Sequence, residues 1–226
     1  MKSRTWKALL RFWAADRGLS IFLGLLILII FVLPAFATPG LLSRLAGDVA
    51  FSLLLVAGAV AMPEYRWMRF VVPPMVVLAL VVRWATIATS SAHLAAWREI
   101  SSLATLALFV IVVAARVYRP GPVTRQRIQG SIAVYLLLGL TWASAYELLH
   151  ILRPGAWTGT ASEVPVSQTW IYYSFVTLTT MGYGDITPVH PVARSLAILE
   201  ALTGQLYLAI TLARLVALHI KSGERG

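Results

Sequence analysis

The sequence contains no cysteine, which excludes disulfides, thiolate nucleophiles and cysteine-based metal sites. It is also poor in charge: Asp, Glu, Lys and Arg make up 12% of its 226 residues, whereas a water-soluble domain carries about 25%. Acidic residues are especially scarce, with nine Asp and Glu against 19 Lys and Arg. This shortage of charge argues against a water-soluble domain and indicates an integral membrane protein.

Long apolar runs take the place of the missing charge. Hydrophobic residues make up 59% of the sequence, and its mean hydropathy is +0.79. A helix needs about 20 mostly apolar residues to cross a bilayer, and six runs approach that length. Between the last two runs, residues 167–180 form an apolar and aromatic segment that is too short to span. The six predicted spans are 19–36, 46–62, 70–89, 99–117, 130–152 and 191–219.

The positive charges lie beside these runs rather than on a polar domain, so membrane orientation explains the net charge of +10 better than nucleic-acid binding. With a cytoplasmic N-terminus and six alternating spans, 14 of the 19 Lys and Arg fall on the inner side. The opposite orientation breaks the positive-inside rule. The charge distribution therefore predicts a multi-pass membrane protein with both termini cytoplasmic, and a short chain without sorting signals indicates a prokaryotic plasma membrane.

The N-terminus is predicted to lie on the membrane rather than in it. Residues 1–18 have the basic and aromatic pattern of an amphipathic helix on the inner surface, with a frayed basic tail as the alternative. A cleaved signal peptide over residues 1–37 is a further alternative, because a basic start and an apolar core precede the small residues "AFA".

The segment "TTMGYGDITP", residues 179–188, interrupts the apolar pattern with two glycines, a tyrosine and a carboxylate. In hydrocarbon, irregular backbone survives only where it is buried in protein or lines a water-filled path. A short helix, a sharp reversal and a strand-like return therefore predict a re-entrant loop that serves a pathway. Gly182 and Gly184 permit backbone dihedrals that would clash with a side chain. They let successive carbonyl oxygens face one axis, where a desolvated cation satisfies them.

The stretch "TTMGYGD" resembles the selectivity filter of the tetrameric potassium channels, and the resemblance covers roughly residues 130–220. It implies an ion channel rather than an enzyme, with potassium as the permeating ion and no cofactor. It also implies a homotetramer in the lipid bilayer, with no nucleic acid and no soluble protein partner. The potassium ligands that it implies are Thr180, Met181, Gly182, Tyr183 and Gly184.

The resemblance extends to residues around the filter. Tyr172 and Tyr173 stand where the family often has aromatic residues around the filter, and Tyr172 is a candidate to hydrogen-bond Asp185; an interfacial aromatic belt is the alternative. Gly204 stands where many inner helices have a hinge glycine, with close helix packing as the alternative. Glu200, one helical turn earlier, is interpreted as a brace behind the filter or the pore helix.

The first four spans match the number found in voltage-gated channels, whose fourth span repeats Arg or Lys every third residue. Here the fourth run has Arg98 at one end and Arg116 at the other, with no Lys or Arg between them. The sequence therefore predicts weak or absent voltage gating. Two other ionisable groups within the runs, Asp48 and Arg83, either pair with each other or extend to the headgroups.

These observations predict an all-α membrane protein with six transmembrane helices, and with a re-entrant pore helix and filter between the fifth and sixth. Two other functions stay open: a potassium transporter subunit, although such transporters normally fuse four pore loops in one longer chain, and a non-conducting membrane sensor or scaffold. The predicted regions are the surface segment 1–18, a four-helix domain 19–117, a cytoplasmic linker 118–129, a pore domain 130–220 with pore helix 168–179 and filter 180–184, and a cytoplasmic tail 221–226.

Overall fold

The structure is a computed structural model that describes residues 17–36, 40–61, 68–88, 91–119, 124–159 and 166–223. Nearly all of the predicted surface segment 1–18 lies outside the described residues, as does the end of the alternative signal peptide at residue 37. Part of the predicted linker and the last three residues of the predicted tail lie outside them too.

Helices make up nearly all of the described chain. The first helix, α1 (Arg17–Ile27), continues into a π-helical turn, Leu28–Val32, and an α-helical turn, Leu33–Ala35. Two short strands pair antiparallel, with Trp157 opposite Pro188 and Thr158 opposite Thr187. The elements are α1 (Arg17–Ile27), α2 (Leu41–Ala61), α3 (Met68–Ala88), α4 (Ala92–Val117), α5 (Arg125–Leu152), β1 (Trp157–Thr158), α6 (Val166–Leu178), β2 (Thr187–Pro188) and α7 (Pro191–Gly223).

Six of these helices are long and apolar enough to cross a membrane: α1 with its two added turns, α2, α3, α4, α5 and α7. The prediction of an all-α membrane protein with six spans is therefore confirmed. Three starts differ from the predicted ones by five residues or more, the first being that of the second helix, which begins at Leu41 rather than 46. The fourth helix begins at Ala92 rather than 99, and the fifth begins at Arg125 rather than 130, inside the predicted linker. There the Thr124 hydroxyl accepts a hydrogen bond from the backbone N–H of Arg127, which caps α5.

The first five helices share one apolar core. Phe22 of α1 and Phe109 of α4 are fully buried and meet edge to face, with ring centroids 6.1 Å apart. Gly58 of α2 lets its helix approach this pair, because a Cβ there would lie 2.3 Å from the Phe109 ring. Among the described helices, the most extensive contact is between α4 and α5, and α1 packs against both α2 and α5. The four-helix region therefore rests on α5 of its own chain.

The short helix α6 lies between α5 and α7 and contacts both. A Cβ at Gly139 of α5 would lie 2.4 Å from the Phe175 ring of α6, so the absence of a side chain allows this close approach. At the start of α7, the β1–β2 pair ties the segment before α6 to the segment that follows it. These contacts fix both ends of residues 179–186, which we call the signature loop.

Candidate functional site

The signature loop begins beside the middle of α7. A Cβ at Gly204 would lie 2.2 Å from the carbonyl oxygen of Leu178, so α7 touches the last residue of α6 here. One residue further on, the Gln205 side-chain amide donates a hydrogen bond to the Thr180 hydroxyl at 3.1 Å. These contacts lie 13 to 14 residues after Pro191, about 20 Å along a helix with a rise of 1.5 Å per residue.

The sign of the backbone φ angle alternates along residues 180–184 of the loop. Thr180, Gly182 and Gly184 have positive φ values of 59°, 54° and 80°, whereas Met181 and Tyr183 between them do not. In an ordinary strand successive carbonyls point to opposite sides, but alternating left-handed and right-handed residues turn them to the same side. A Cβ at Gly182 or Gly184 would meet nothing within 4 Å. The two glycines are therefore needed for their backbone conformation rather than for space.

Hydrogen bonds hold the loop by its N–H groups. The Val176 carbonyl, at the end of α6, accepts bonds from the backbone N–H of Met181 at 2.9 Å and of Gly182 at 3.2 Å. The N–H of Thr180 donates to the carbonyl of Thr177 at 2.9 Å. Within the described ranges, no hydrogen bond uses a carbonyl oxygen of residues 180–184 as its acceptor. The loop thus turns its donors toward α6 and leaves a row of oxygens available.

These oxygens suit a monovalent cation better than a divalent metal. In the part of the chain that the structure describes, no three His, Asp or Glu side chains group as they would around a metal ion. The loop offers neutral peptide oxygens, and the filters of known potassium channels use such oxygens in place of the hydration shell.

At its far end the loop is braced by a carboxylate. The Tyr172 hydroxyl donates to Asp185 Oδ2 at 2.6 Å, and the backbone N–H of Ile186 donates to Asp185 Oδ1 at 3.0 Å. The hydrogen bond to Asp185 raises the pKa of Tyr172, which lies outside the six spans, to about 12. The phenol therefore keeps its proton, and the bond, at neutral pH. This is the contact that the sequence suggested between the two residues.

Tyr173 lies in a different environment from Tyr172, although the sequence suggested one role for both. Its ring is buried, with its centroid 4.9 Å from that of Tyr146 and 6.2 Å from those of Trp157 and Trp170. These partners belong to α5, β1 and α6 itself. Tyr173 therefore packs α6 against the rest of its own chain, whereas Tyr172 reaches the loop.

Glu200 lies behind α6, in a buried polar cluster that joins three helices. Its side chain is fully buried on α7. The Tyr146 hydroxyl of α5 lies 2.5 Å from Glu200 Oε2, and the Ser174 hydroxyl of α6 lies 2.5 Å from Oε1. Ser174 also lies 2.7 Å from the carbonyl oxygen of Gly139 on α5. Glu200 therefore contacts α6, and its predicted role as a brace behind the filter or the pore helix stays a prediction.

A second polar cluster joins the four-helix region to α5. Arg98 of α4 contacts Glu99 at 2.8 Å and Glu147 of α5 at 2.7 Å, and both carboxylates are almost fully buried. Arg83 of α3 lies 2.8 Å from Asp48 of α2, so pairing rather than extension to the headgroups describes these two residues.

Asp48, Arg83 and Glu200 are not the only acidic or basic groups inside the described spans. Glu99 and Glu147 belong with them. The signal was available, because each interrupts an apolar run and an unpaired charge there is costly. Gln205 was also missed: it is one polar residue in an apolar helix, and only its contact with Thr180 marks it.

Comparison with known proteins identifies the region around the loop. A family described as "Ion channel" matches residues 133–221. The chain is 34% identical over 86 residues to two pore potassium channel c of Oryza sativa subsp. japonica, which covers 38% of this chain and 17% of that protein. It is 33% identical over 81 residues to the inward rectifier potassium channel Kirbac3.1 of Paramagnetospirillum magnetotacticum, covering 34% and 24%.

A third relative is protein LctB of Geobacillus stearothermophilus, 34% identical over 86 residues that cover 36% of this chain and 62% of LctB. The matched part thus spans less than two thirds of each of these relatives. Residues 133–221, which hold most of α5, all of α6 and the signature loop, and most of α7, therefore match the ion-channel family. Two of these relatives are potassium channels by name.

Proposed function

We propose that this protein is a potassium-selective channel in which four copies of the signature loop surround one ion path. The observation that carries the proposal is the alternating backbone of Thr180, Gly182 and Gly184, which turns unbonded carbonyl oxygens to one side. A potassium ion that enters such a path exchanges its water for these oxygens, as in the filter of known potassium channels. Conduction is passive and follows the electrochemical gradient.

The depth of the loop supports a re-entrant arrangement. Thr180 lies level with Gln205, about halfway along α7, while β2 lies near the start of that helix. If α7 crosses the membrane, the loop enters and leaves on the same side and reaches the middle of the bilayer. Irregular backbone at that depth needs protein or water around it. On the charge distribution of the sequence, that side is the outside of the cell.

A single chain leaves the signature loop and most of α7 exposed, and this exposure supports an assembly of several chains. Residues 179–185 are all exposed, and only 17% of the most apolar stretch of α7 is buried, against 56% for α5. An apolar helix face can lie against lipid, but lipid tails offer no hydrogen bond or charge to carbonyl oxygens that have no partner. A fourfold arrangement, in which each chain contributes one loop and one α7, encloses the oxygens and leaves the first four helices at the periphery.

The residues of the loop then take distinct roles. Carbonyls of residues 180–184 bind the ion, and the Thr180 hydroxyl, held by Gln205, adds an oxygen at the inner end. Asp185, held by Tyr172, braces the outer end. The resemblance to tetrameric potassium channels implies that Tyr183 favours potassium over sodium, because related nonselective channels replace it, often with Asp.

Weak or absent voltage dependence is part of this proposal. Between Arg98 and Arg116, α4 has no Lys or Arg that could carry gating charge. Arg98 itself is held by two buried carboxylates, Glu99 and Glu147. Moving this charge through the membrane field would first require breaking both contacts.

The test is reconstitution in liposomes and planar bilayers. We expect single-channel currents carried by potassium in preference to sodium, far faster than a transport cycle. Tyr183→Asp and Gly182→Ala should abolish selective flux. Gly155→Ala is a matched control for the second variant, because Gly155 also has a positive φ of 86° and open space around its Cβ position but lies outside the loop. Wild-type selectivity in both loop variants, or no flux from the wild type, would contradict the proposal.

A further inference from the structure

The cluster around Glu200 contains more hydrogen-bond contacts than its hydroxyl groups have hydrogens. Three oxygen–oxygen distances need a hydrogen each: Tyr146 to Glu200 at 2.5 Å, Ser174 to Glu200 at 2.5 Å, and Ser174 to the Gly139 carbonyl at 2.7 Å. Tyr146 and Ser174 supply one hydrogen each. The Gly139 carbonyl has none to give.

An ionised Glu200 leaves one of these contacts without a hydrogen. If Ser174 donates to the carboxylate, its oxygen lies 2.7 Å from the Gly139 carbonyl with only lone pairs between them. If Ser174 donates to Gly139 instead, its oxygen faces the carboxylate at 2.5 Å in the same way. Each distance lies in the range of a true O–H···O bond. All three contacts are satisfied only when the carboxyl group carries the third hydrogen.

The surroundings of Glu200 offer no counter-charge. In the described part of the chain, no Lys, Arg or His forms an ion pair with it. The titratable groups near it are Tyr146 and Tyr135 of α5 and Tyr173 of α6, all of them neutral as phenols. A fully buried carboxylate without a positive partner is strongly unfavourable. The hydrogen-bond geometry and the lack of a counter-charge therefore both favour a carboxyl group that carries a hydrogen.

We propose that Glu200 is held as a neutral carboxylic acid that donates to Ser174 and accepts from Tyr146, and that it is thereby the positioning residue for α6. The hydrogens then run in one order, from Tyr146 to Glu200, from Glu200 to Ser174, and from Ser174 to the Gly139 carbonyl. This chain of bonds links α5, α7 and α6.

Glu200 can affect the loop through Ser174, because Ser174 lies close in sequence to the residue that holds the loop backbone. Ser174 lies two residues before Val176, whose carbonyl holds the N–H groups of Met181 and Gly182. A shift of α6 at Ser174 therefore moves the acceptor that orients the loop backbone. The protonation of Glu200 stands on the local geometry alone, whereas its influence on conduction rests on the proposed function.

The protonation is tested by infrared spectroscopy of the reconstituted protein at neutral pH, comparing wild type, Glu200→Gln and Ser174→Ala. We expect the wild type to show a carboxylic-acid C=O band that is absent in Glu200→Gln. In Ser174→Ala the band should persist but shift to higher frequency, because the acid loses its acceptor. Identical wild-type and Glu200→Gln spectra in this region would show that the carboxyl group is ionised and would overturn the proposal.

The positioning role is tested by potassium flux in the same liposomes. Glu200→Gln should retain flux, because its amide can donate to Ser174 and accept from Tyr146. Glu200→Leu, of similar size but unable to form either bond, should lower flux about tenfold or more, the scale on which one buried unsatisfied group acts. Loss of flux in Glu200→Gln, with normal assembly, would overturn the positioning role. An acid band without flux in the wild type would instead contradict the channel and leave the protonation standing.

Discussion

Replacing Gly204 by alanine places a methyl group where α7 touches the end of α6. The new Cβ would lie 2.2 Å from the carbonyl oxygen of Leu178 and 3.0 Å from its Cδ1 atom. An ordinary carbon–oxygen contact is about 3.3 Å, so α6 and α7 must separate by about 1 Å. The nearest obstacle is backbone, which cannot rotate away as a flexible side chain can. We expect the variant to lose about 1–3 kcal/mol of stability, the usual cost of overpacking.

The displacement should also reach the ion path. Leu178 is the last residue of α6, two residues before Thr180, and Val176 one half-turn earlier holds the loop by its carbonyl. A 1 Å shift here is about a third of a hydrogen-bond length, enough to disturb both bonds to Val176. We therefore expect Gly204→Ala to reduce potassium flux and to shift the bi-ionic reversal potential toward sodium.

The assay compares assembly by size-exclusion chromatography, thermal stability in detergent and flux in liposomes. Gly24→Ala is the matched control, because Gly24 lies within α1 and its Cβ would meet nothing within 4 Å. That control should be neutral or stabilised by up to about 1 kcal/mol, the helix preference of Ala over Gly. A Gly204→Ala protein with wild-type stability and selectivity would refute the packing argument. A hinge role alone would alter opening without lowering stability.

Two further predictions concern polar contacts. Tyr172→Phe removes the 2.6 Å bond to Asp185; we expect potassium currents that decay faster during sustained opening, with about 1 kcal/mol lost, measured in planar bilayers. Arg98→Met leaves two buried carboxylates, including Glu147, without their partner; we expect about 3–5 kcal/mol of destabilisation, measured as the loss of folded protein on heating in detergent.

Each of these two variants has its own control. For the tyrosine, the double variant with Asp185→Asn should add little to either single change, since both remove the same bond. Fully additive effects would mean that the two side chains act separately. For the arginine, Arg44→Met removes an exposed charge in α2 and should cost little. Equal stability of the two methionine variants would contradict a structural role for the cluster at Arg98.

The six spans could be predicted because a membrane helix is a local property of the chain. A run of about 20 apolar residues predicts such a helix wherever it occurs, and only the residues at which the helix begins and ends are hard to predict. The fourth helix extends seven residues beyond its predicted start because Arg98 and Glu99 interrupt the apolar run, yet their charges are neutralised within the bundle. The fifth begins early because basic residues at its start continue the helix after the Thr124 cap.

The signature loop could also be recognised from the sequence, since its glycines and its Asp stand side by side. Among its supports, the bond from Tyr172 to Asp185 was suggested by the sequence, but the partners of Glu200 and of Thr180 were not, because they come from distant parts of the chain. Tyr146 and Ser174 lie 54 and 26 residues from Glu200, and Gln205 lies 25 residues from Thr180. Apolar patterning predicts which helices form, but it does not predict which polar side chains meet between them.

The pairing of β1 with β2 has a mechanical consequence. Trp157 and Thr158 pair with Pro188 and Thr187, so the segment that precedes α6 is joined to the segment that follows the signature loop. Asp185 is held at that same end by Tyr172, whereas the end at Thr180 contacts α7 through Gln205 and is otherwise held only by backbone bonds to the adjacent end of α6. Thermal or applied force should therefore displace the loop at Thr180 first, and the end at Asp185 should move only after the two strands separate.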